Sequence, residues 1–337
     1  AVAQWMEDGD KPFDLGDVDI SRMQPFMGNK TYLADRSTET LGLLYADHFP
    51  YRQKATARGV RRTPFHNHLM QHGAVMGELA GWERANWFAR NGQHPAYEYS
   101  WKRQNFFGNV ADEHKAIREN VGMYDMSSFG KIRVEGRDAE AFMNYVGGGN
   151  YSVPNGKIVY TQFLNNGGGI EADVTVTRLS ETVYLVVTPA ATRLADQTWM
   201  QRHVGDFNVV ITDVTAGEGV LAVMGPNARK LLQMVSPADF SNDVNPFGTA
   251  QDIEIGMGLA RVHRVTYVGE LGWEVYVPSD MAGHVFETLF EAGQDLGMSL
   301  CGMHMMDTCR IEKGFRHFGH DITCEDHVLE AGLGFAV

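Results

Sequence analysis

Apolar residues along the chain change period several times, and each change predicts an element. From Lys131 onward, strand-like alternation covers Lys131–Glu135, Lys157–Leu164, Asp173–Arg178, Val183–Thr188, Val209–Val214 and Val220–Met224. Further on it covers Ile253–Ile255, Ala260–Tyr267 and Trp273–Val277. Helical spacing separates these runs. Ala139, Phe142, Met143 and Val146 share one face behind Asp138, a predicted N-cap. Pro226 is predicted in the first turn of a helix running to Val235, where its missing N–H costs nothing. Val285, Phe286, Leu289 and Phe290 line one side of Met281–Leu296, with Gly297 as its stop, and Met303–Lys313 is stopped by Gly314. Upstream, a helix is predicted over Asp112–Asn120, ending before Gly122. Residues 1–50 show a short helix, a Gly/Asp/Pro loop from Asp8 to Asp19 and a second helical stretch at Glu39–Ala46, without a core of their own. The pattern implies an α+β fold with mixed sheets and excludes the even β-α-β alternation of a doubly wound fold.

Length and charge narrow the class. A chain of 337 residues exceeds one ordinary domain. Lys+Arg 29 against Asp+Glu 42 leaves a net charge of -13, which argues against a nucleic-acid or anionic-membrane surface but permits a local basic pocket. No apolar run approaches the roughly 18 residues of a membrane span, and no signal segment opens the chain. Cys301, Cys309 and Cys324 cannot all pair and lack CxxC spacing, which predicts a reducing compartment: bacterial cytoplasm or, in a eukaryote, the mitochondrial matrix. Ala1 to Met6 reads as a helix already in progress, and Leu329–Val337 ends in an apolar stretch. Both termini are expected to be breaks in a longer chain. Nothing in the sequence fixes an oligomeric state.

Three segments carry candidate chemistry. Asn165–Asp173 is a Gly-rich turn between strands, and alternation puts Glu171 and Asp173 on one face with Ala172 and Val174 on the other. A carboxylate there could accept a proton or hold an N–H-bearing heterocycle; a solvated strand face is the commoner origin of such a pattern. Tyr267–Glu274 also reads as strand, Gly turn, strand, predicting Tyr267 and Glu274 as neighbours across a hairpin. An aromatic face beside a carboxylate suits a flat ring with donor edges, although an ordinary cross-strand pair gives the same signal. Asp307 and Arg310 lie one helical turn apart, so Arg310 could grip a ligand carboxylate or simply pair with a neighbouring acid, the latter being favoured. His66, His68 and His72, and later His317, His320 and His327, match no metal-ligand set, so no metal is predicted. The triplets Gly147–Gly149 and Gly167–Gly169 are not dinucleotide fingerprints.

These motifs, in this order, resemble the folate-binding aminomethyltransferase family typified by the glycine cleavage T-protein. The matching stretches are Tyr124–Lys131, Val159–Leu179, Val223–Arg229, Val265–Pro278 and Asp307–Asp321. The GWERANWF run at Gly81–Phe88 and the Arg58–Gly77 stretch before it resemble the connecting region of dimethylglycine and sarcosine dehydrogenases. The resemblance implies a T-protein-like folate fold over 99–337, its C-terminal part missing, behind a connecting region at 51–98 and the tail of an FAD-dependent oxidoreductase domain at 1–50. It implies Asp173 as the catalytic carboxylate and Tyr267 and Glu274 as pterin contacts, with Tyr160 and Arg310 as further cofactor-binding candidates and Glu270 as a weaker alternative. The T-protein pattern Ala-Arg-Asp is replaced at its Arg by Met306, so the usual arginine for the folate tail is absent.

The implied reaction is capture of the one-carbon unit from oxidative N-demethylation of a small methylated amine, forming 5,10-methylene-tetrahydrofolate. FAD would enter only through the absent N-terminal domain. The rivals are a stand-alone folate-dependent aminomethyltransferase or demethylase and a non-catalytic regulator of the same fold.

Overall fold

The computed structural model describes residues 2–9, 13–16 and 18–337. Ala1, the first residue of the predicted opening helix, and positions 10–12 and 17 of the predicted loop lie outside the described residues. The opening helix, α1, spans Val2–Asp8. The second, α2 (Lys30–Gly42), begins much earlier than the predicted Glu39 because the Asn29 side chain accepts from Thr31 and Tyr32 N–H and caps it. Neither helix buries a residue, in keeping with a segment that lacks its own core.

The Arg- and Trp-rich region forms β1 (Arg61–Arg62), α3 (His66–Gln71), β2 (Ala74–Leu79) and β3 (Trp82–Phe88), with sheet order β1-β3-β2. A tight turn with Ala80 at φ 50° and Gly81 at φ 82° joins β2 to β3, the positive pair that two-residue hairpins require. Helix α4 (Phe107–Glu119) then leads into β4 (Gly122–Asp125).

Next come β5 (Gly130–Glu135), α5 (Ala139–Val146), β6 (Ile158–Leu164), β7 (Ile170–Ser180), β8 (Val183–Thr188), α6 (Arg193–Arg202) and β9 (Val210–Asp213). They build a sheet in the order β6-β7-β8-β5-β9. The remainder is β10 (Glu218–Met224), α7 (Ala228–Val235), β11 (Ala250–Ile255), β12 (Gly258–His263), β13 (Gly272–Pro278), α8 (Ala282–Gln294), β14 (Ser299–Leu300) and α9 (Met303–Glu312). Their sheet runs β11-β12-β13-β10-β4-β14, and β14 lies parallel to β4 among antiparallel pairs, so the fold is α+β with mixed sheets as expected. Two local expectations fail. Asp138 occupies the N-cap position of α5 without capping it, because its carboxylate instead accepts from Asn208 N–H at 2.8 Å. Pro226 precedes the N-cap Asn227 and does not enter α7.

Each large sheet has an apolar outer face. Val174, Val176, Tyr184 and Val186 pack on Phe142 and Met143 of α5. Trp273, Val275 and Val277 pack with Leu231 of α7 and Val285, Phe286 and Leu289 of α8. The inner faces meet in a third cluster, where Leu185 joins Tyr124, Val220, Ala222 and Tyr276, together with α4 and α9. Glu113 of α4 holds this layer to the connecting region. One of its oxygens accepts from Phe88 N–H at 2.8 Å and the other from Gly302 N–H, at the head of α9, at 2.9 Å. Glu113→Leu would leave two buried donors unmet, each costing about 1–3 kcal/mol. Urea unfolding should therefore show a loss of about 2–6 kcal/mol; an unchanged midpoint would remove the clamp.

Candidate functional site

The β6–β7 hairpin sets the first part of the site. Asn165 Oδ1 accepts from Gly167 and Gly169 N–H at 3.0 and 2.9 Å, and Gly168 takes φ 83°, a region that favours glycine. The resulting register sets Gln162 opposite Asp173 and Tyr160 opposite Thr175. Ala172 and Val174 turn to the α5 core, and Glu171 and Asp173 take the other face, as alternation predicts. Half-buried Asp173 accepts from Gln162 Nε2 at 2.8 Å. Burial raises its pKa, while Gln162 and Tyr160 favour the charged form. Burial and the neighbouring Asp173 push the Tyr160 phenol up.

Tyr267 reaches the same place from a loop. Strand β12 ends at His263, so Tyr267 is not a strand residue. Its hydroxyl donates to Arg316 O at 2.7 Å, and its ring stacks on Phe315 with centroids 6.2 Å apart. Burial raises the Tyr267 phenol, Arg310 lowers it, and Asp173, Asp307 and Asp321 raise it, which puts these groups within one another's fields. Arg310 itself is buried and pairs with Asp307 at 2.8 Å and with Asp321, while Phe315 O accepts at 3.2 Å. Its charge is met within the protein. Glu270 is likewise engaged, by Arg118 at 3.0 Å and Lys313 at 3.6 Å.

Glu274 corrects the predicted hairpin. The residue opposite it on β12 is His263, not Tyr267, because the chain between Arg264 and Leu271 forms a long loop where a tight turn was expected. Glu274 sits on the inner face with Tyr276, whose hydroxyl donates to it at 2.7 Å. Burial raises its pKa, opposed by Tyr276 and by Lys131. Lys131 is wholly buried, donates to Ser127 O at 2.9 Å and Phe129 O at 3.1 Å, and is pushed down to about 8 by burial, with Glu218, Asp125, Asp213 and Glu274 acting in the opposite direction.

The sequence reading missed Lys131, Gln162, Tyr124 and Tyr276. The available signal was phase: Gln162 shares a face with Tyr160, and Tyr276 shares one with Glu274. Several polar atoms on these walls are buried and lack a partner among the described residues, namely Tyr124 OH, Ser128 Oγ, Gln162 Oε1 and Thr177 Oγ1. Buried polar groups are normally paired, so such a group of atoms is what a donor- and acceptor-edged heterocycle would complete. The histidines do something else. His68 and His72 pack on Phe286 and Phe290, His317 packs on His320, and among the described residues no group of three or more His, Cys, Asp or Glu could hold a metal. No described helix is long and apolar enough to cross a membrane.

The GCVT N-terminal domain family matches residues 65–337, and the FAD dependent oxidoreductase central domain matches 8–63. The chain is 44% identical over 336 residues to 4-methylaminobutanoate oxidase (formaldehyde-forming) of Paenarthrobacter nicotinovorans, covering 100% of this chain and 41% of that protein. It is 30% identical to mitochondrial dimethylglycine dehydrogenase of Rattus norvegicus, covering 100% of this chain and 39% of the relative. The chain therefore spans about two fifths of these relatives' length. Among solved structures, the glycine cleavage system aminomethyltransferase T from Bartonella henselae superimposes with a TM-score of 0.69 at 25% identity, over 83% of this chain and 70% of that one.

The wall beside Glu274 should respond to acid. Buried His263 stacks on Tyr276 at 4.1 Å, and its Nε2 accepts from Arg261 Nε at 3.1 Å, which requires the neutral ring. Burial holds its pKa well below the usual histidine range. Its stability contribution is thus present above the unfolded pKa of about 6.5 and is lost as pH falls below it. Thermal melts at pH 7.5 and 5 should show wild type losing more stability than His263→Gln; equal losses would exclude His263 as a contributor.

Proposed function

The chain belongs to the GCVT N-terminal domain family, with an FAD dependent oxidoreductase central-domain segment ahead of it, and from this we propose that its inter-sheet site binds tetrahydrofolate and captures a one-carbon unit released from a small methylated amine. The carrying observation is that Asp173 stands, half-buried and held by Gln162, beside Tyr160 and Tyr267, on walls that keep several polar atoms unpaired. Those acceptors and hydroxyls, with Glu274 deeper between the sheets, fit a pterin, whose edges carry both donors and acceptors. When bound, tetrahydrofolate supplies two nitrogens that take up the carbon as 5,10-methylene-tetrahydrofolate.

The protein's part is positioning and proton handling. Tyr160 and Tyr267 offer ring faces and hydroxyls near Asp173. Asp173 can accept a proton from a folate nitrogen, because burial already brings its pKa closer to neutral. Holding the acceptor beside the released carbon raises its effective concentration. The division of labour follows the predicted boundaries: 1–50 and 51–98 connect to flavin chemistry outside these residues, and 99–337 performs the capture. The amine would be of the dimethylglycine, sarcosine or 4-methylaminobutanoate type, and the reducing compartment a bacterial cytoplasm or a mitochondrial matrix.

A stand-alone aminomethyltransferase is the second reading, favoured by the likeness to the Bartonella protein. The oxidoreductase segment at 8–63 favours the demethylating one. Anaerobic calorimetry should show the full chain binding tetrahydrofolate, with no flavin absorbance. Asp173→Asn should retain that binding while turnover of a full-length enzyme falls about 10²–10⁴-fold. A folded chain that ignores tetrahydrofolate would sink the reading, and undiminished turnover would remove Asp173 from it.

A further inference from the structure

Gln162 is fully buried, yet only half of its amide is used. The NH₂ donates to Asp173 at 2.8 Å, and Oε1 has no partner among the described residues. Its orientation follows from its neighbour. An ionised carboxylate offers acceptors only, so the NH₂ must face Asp173 and the carbonyl must face away. A carbonyl left in that position carries an uncompensated desolvation cost unless a ligand N–H meets it.

We propose that Gln162 reads whether the bound folate presents an N–H or an alkylated nitrogen, with Asp173 setting which end of the amide faces the ligand. This rests on the tetrahydrofolate reading above and adds a specificity-determining residue to it. With Asp173 ionised, Gln162 shows its carbonyl and selects a nitrogen that bears hydrogen. Once Asp173 has taken a proton, its hydroxyl becomes a donor, and the amide can turn over to accept from it. The NH₂ then faces the ligand and meets a lone pair in place of an N–H. A secondary amine is favoured in the first state and its alkylated product in the second.

The surroundings permit such a change of charge. The ionisable groups coupled to Asp173 are Tyr160 on β6, Tyr267 on the loop and Asp196 on α6; Asp196 also feels Glu171 and its carboxylate accepts from Thr188 and Thr192. Arg310 acts on Tyr267 and is itself paired with Asp307 and Asp321. Among the described residues no lysine or arginine is paired with Asp173, and its proton balance follows burial, Gln162 and Tyr160.

The test compares the affinities of the full chain for tetrahydrofolate and for 5-methyl-tetrahydrofolate at pH 8 and pH 5. Wild type should prefer tetrahydrofolate at pH 8, and the preference should shrink about tenfold at pH 5, one hydrogen bond being at stake. Gln162→Leu should weaken tetrahydrofolate binding about tenfold and make the ratio independent of pH. A wild-type ratio retained at both pH values in Gln162→Leu would overturn the proposal. Asp173→Asn gives an independent check should the leucine variant not fold: its ratio should also be flat, and a ratio that still follows pH would overturn the proposal. If wild type binds neither folate, the proposed function itself falls, which is a different result from binding without discrimination.

Discussion

The structure depends on the burial of ionisable groups between two sheets whose outer faces are apolar. A carboxylate removed from water has to be met by a cation or by donors, or it becomes neutral. Glu274 is met by the Tyr276 hydroxyl and by the field of Lys131. Lys131 in turn is held by two backbone carbonyls that only the bend between β4 and β5 brings together. Remove the lysine, and the buried Asp125 and Glu274 lose a compensating charge that they share. Asp173 stands at the other end of the same space under a milder regime, half-buried and met by an amide. The two carboxylates therefore differ in environment: Glu274 is fixed within a buried polar cluster, and Asp173 is half-buried and held by a neutral amide.

What placed Asp173 within reach of a sequence reading was locality. Its turn, its strand and its facing partner all lie within residues 158–180, and period-2 alternation is enough to choose its face. Helices α8 and α9 were legible for the same reason, through a one-sided apolar stripe in one case and a stop at Gly314, with φ 67°, in the other. Glu274 was not. Val265 and Thr266 extend the β-branched texture of β12, but the ladder stops at His263 and the chain loops out through Tyr267. Pattern sees propensity; only the register shows where pairing ends.

Gln162 and Lys131 were illegible for a different reason. An amide in a strand carries no chemistry until its partner is known, and a lysine at a strand start reads as a solvated residue. Their meaning arises from contacts across the hairpin and across the sheets. Arg310 shows the converse: it was singled out as a possible ligand grip with a structural pair favoured, and the helix delivers it to Asp307, Asp321 and Phe315 O.

The segments matched to two families are joined by more than the chain. Arg193 on α6 reaches Gln24 near the N-terminus with one guanidinium nitrogen and Asp213 on β9 with the other. Asp213 accepts from the Thr215 hydroxyl at 2.5 Å, and the Thr215 hydroxyl accepts from Lys131 N–H at 3.0 Å. Arg61, stacked over Trp82 at 3.9 Å and Phe26 at 5.9 Å, covers the same junction. A run of hydrogen bonds thus leads from the oxidoreductase-type segment to the backbone of the residue that compensates the buried acids. Residues 18–63 bury little of their own and rest on this contact together with the Arg36–Glu78, Arg58–Glu83 and Thr63–Asp125 pairs. This one junction and the charge balance of the inter-sheet site share the same strand, β5.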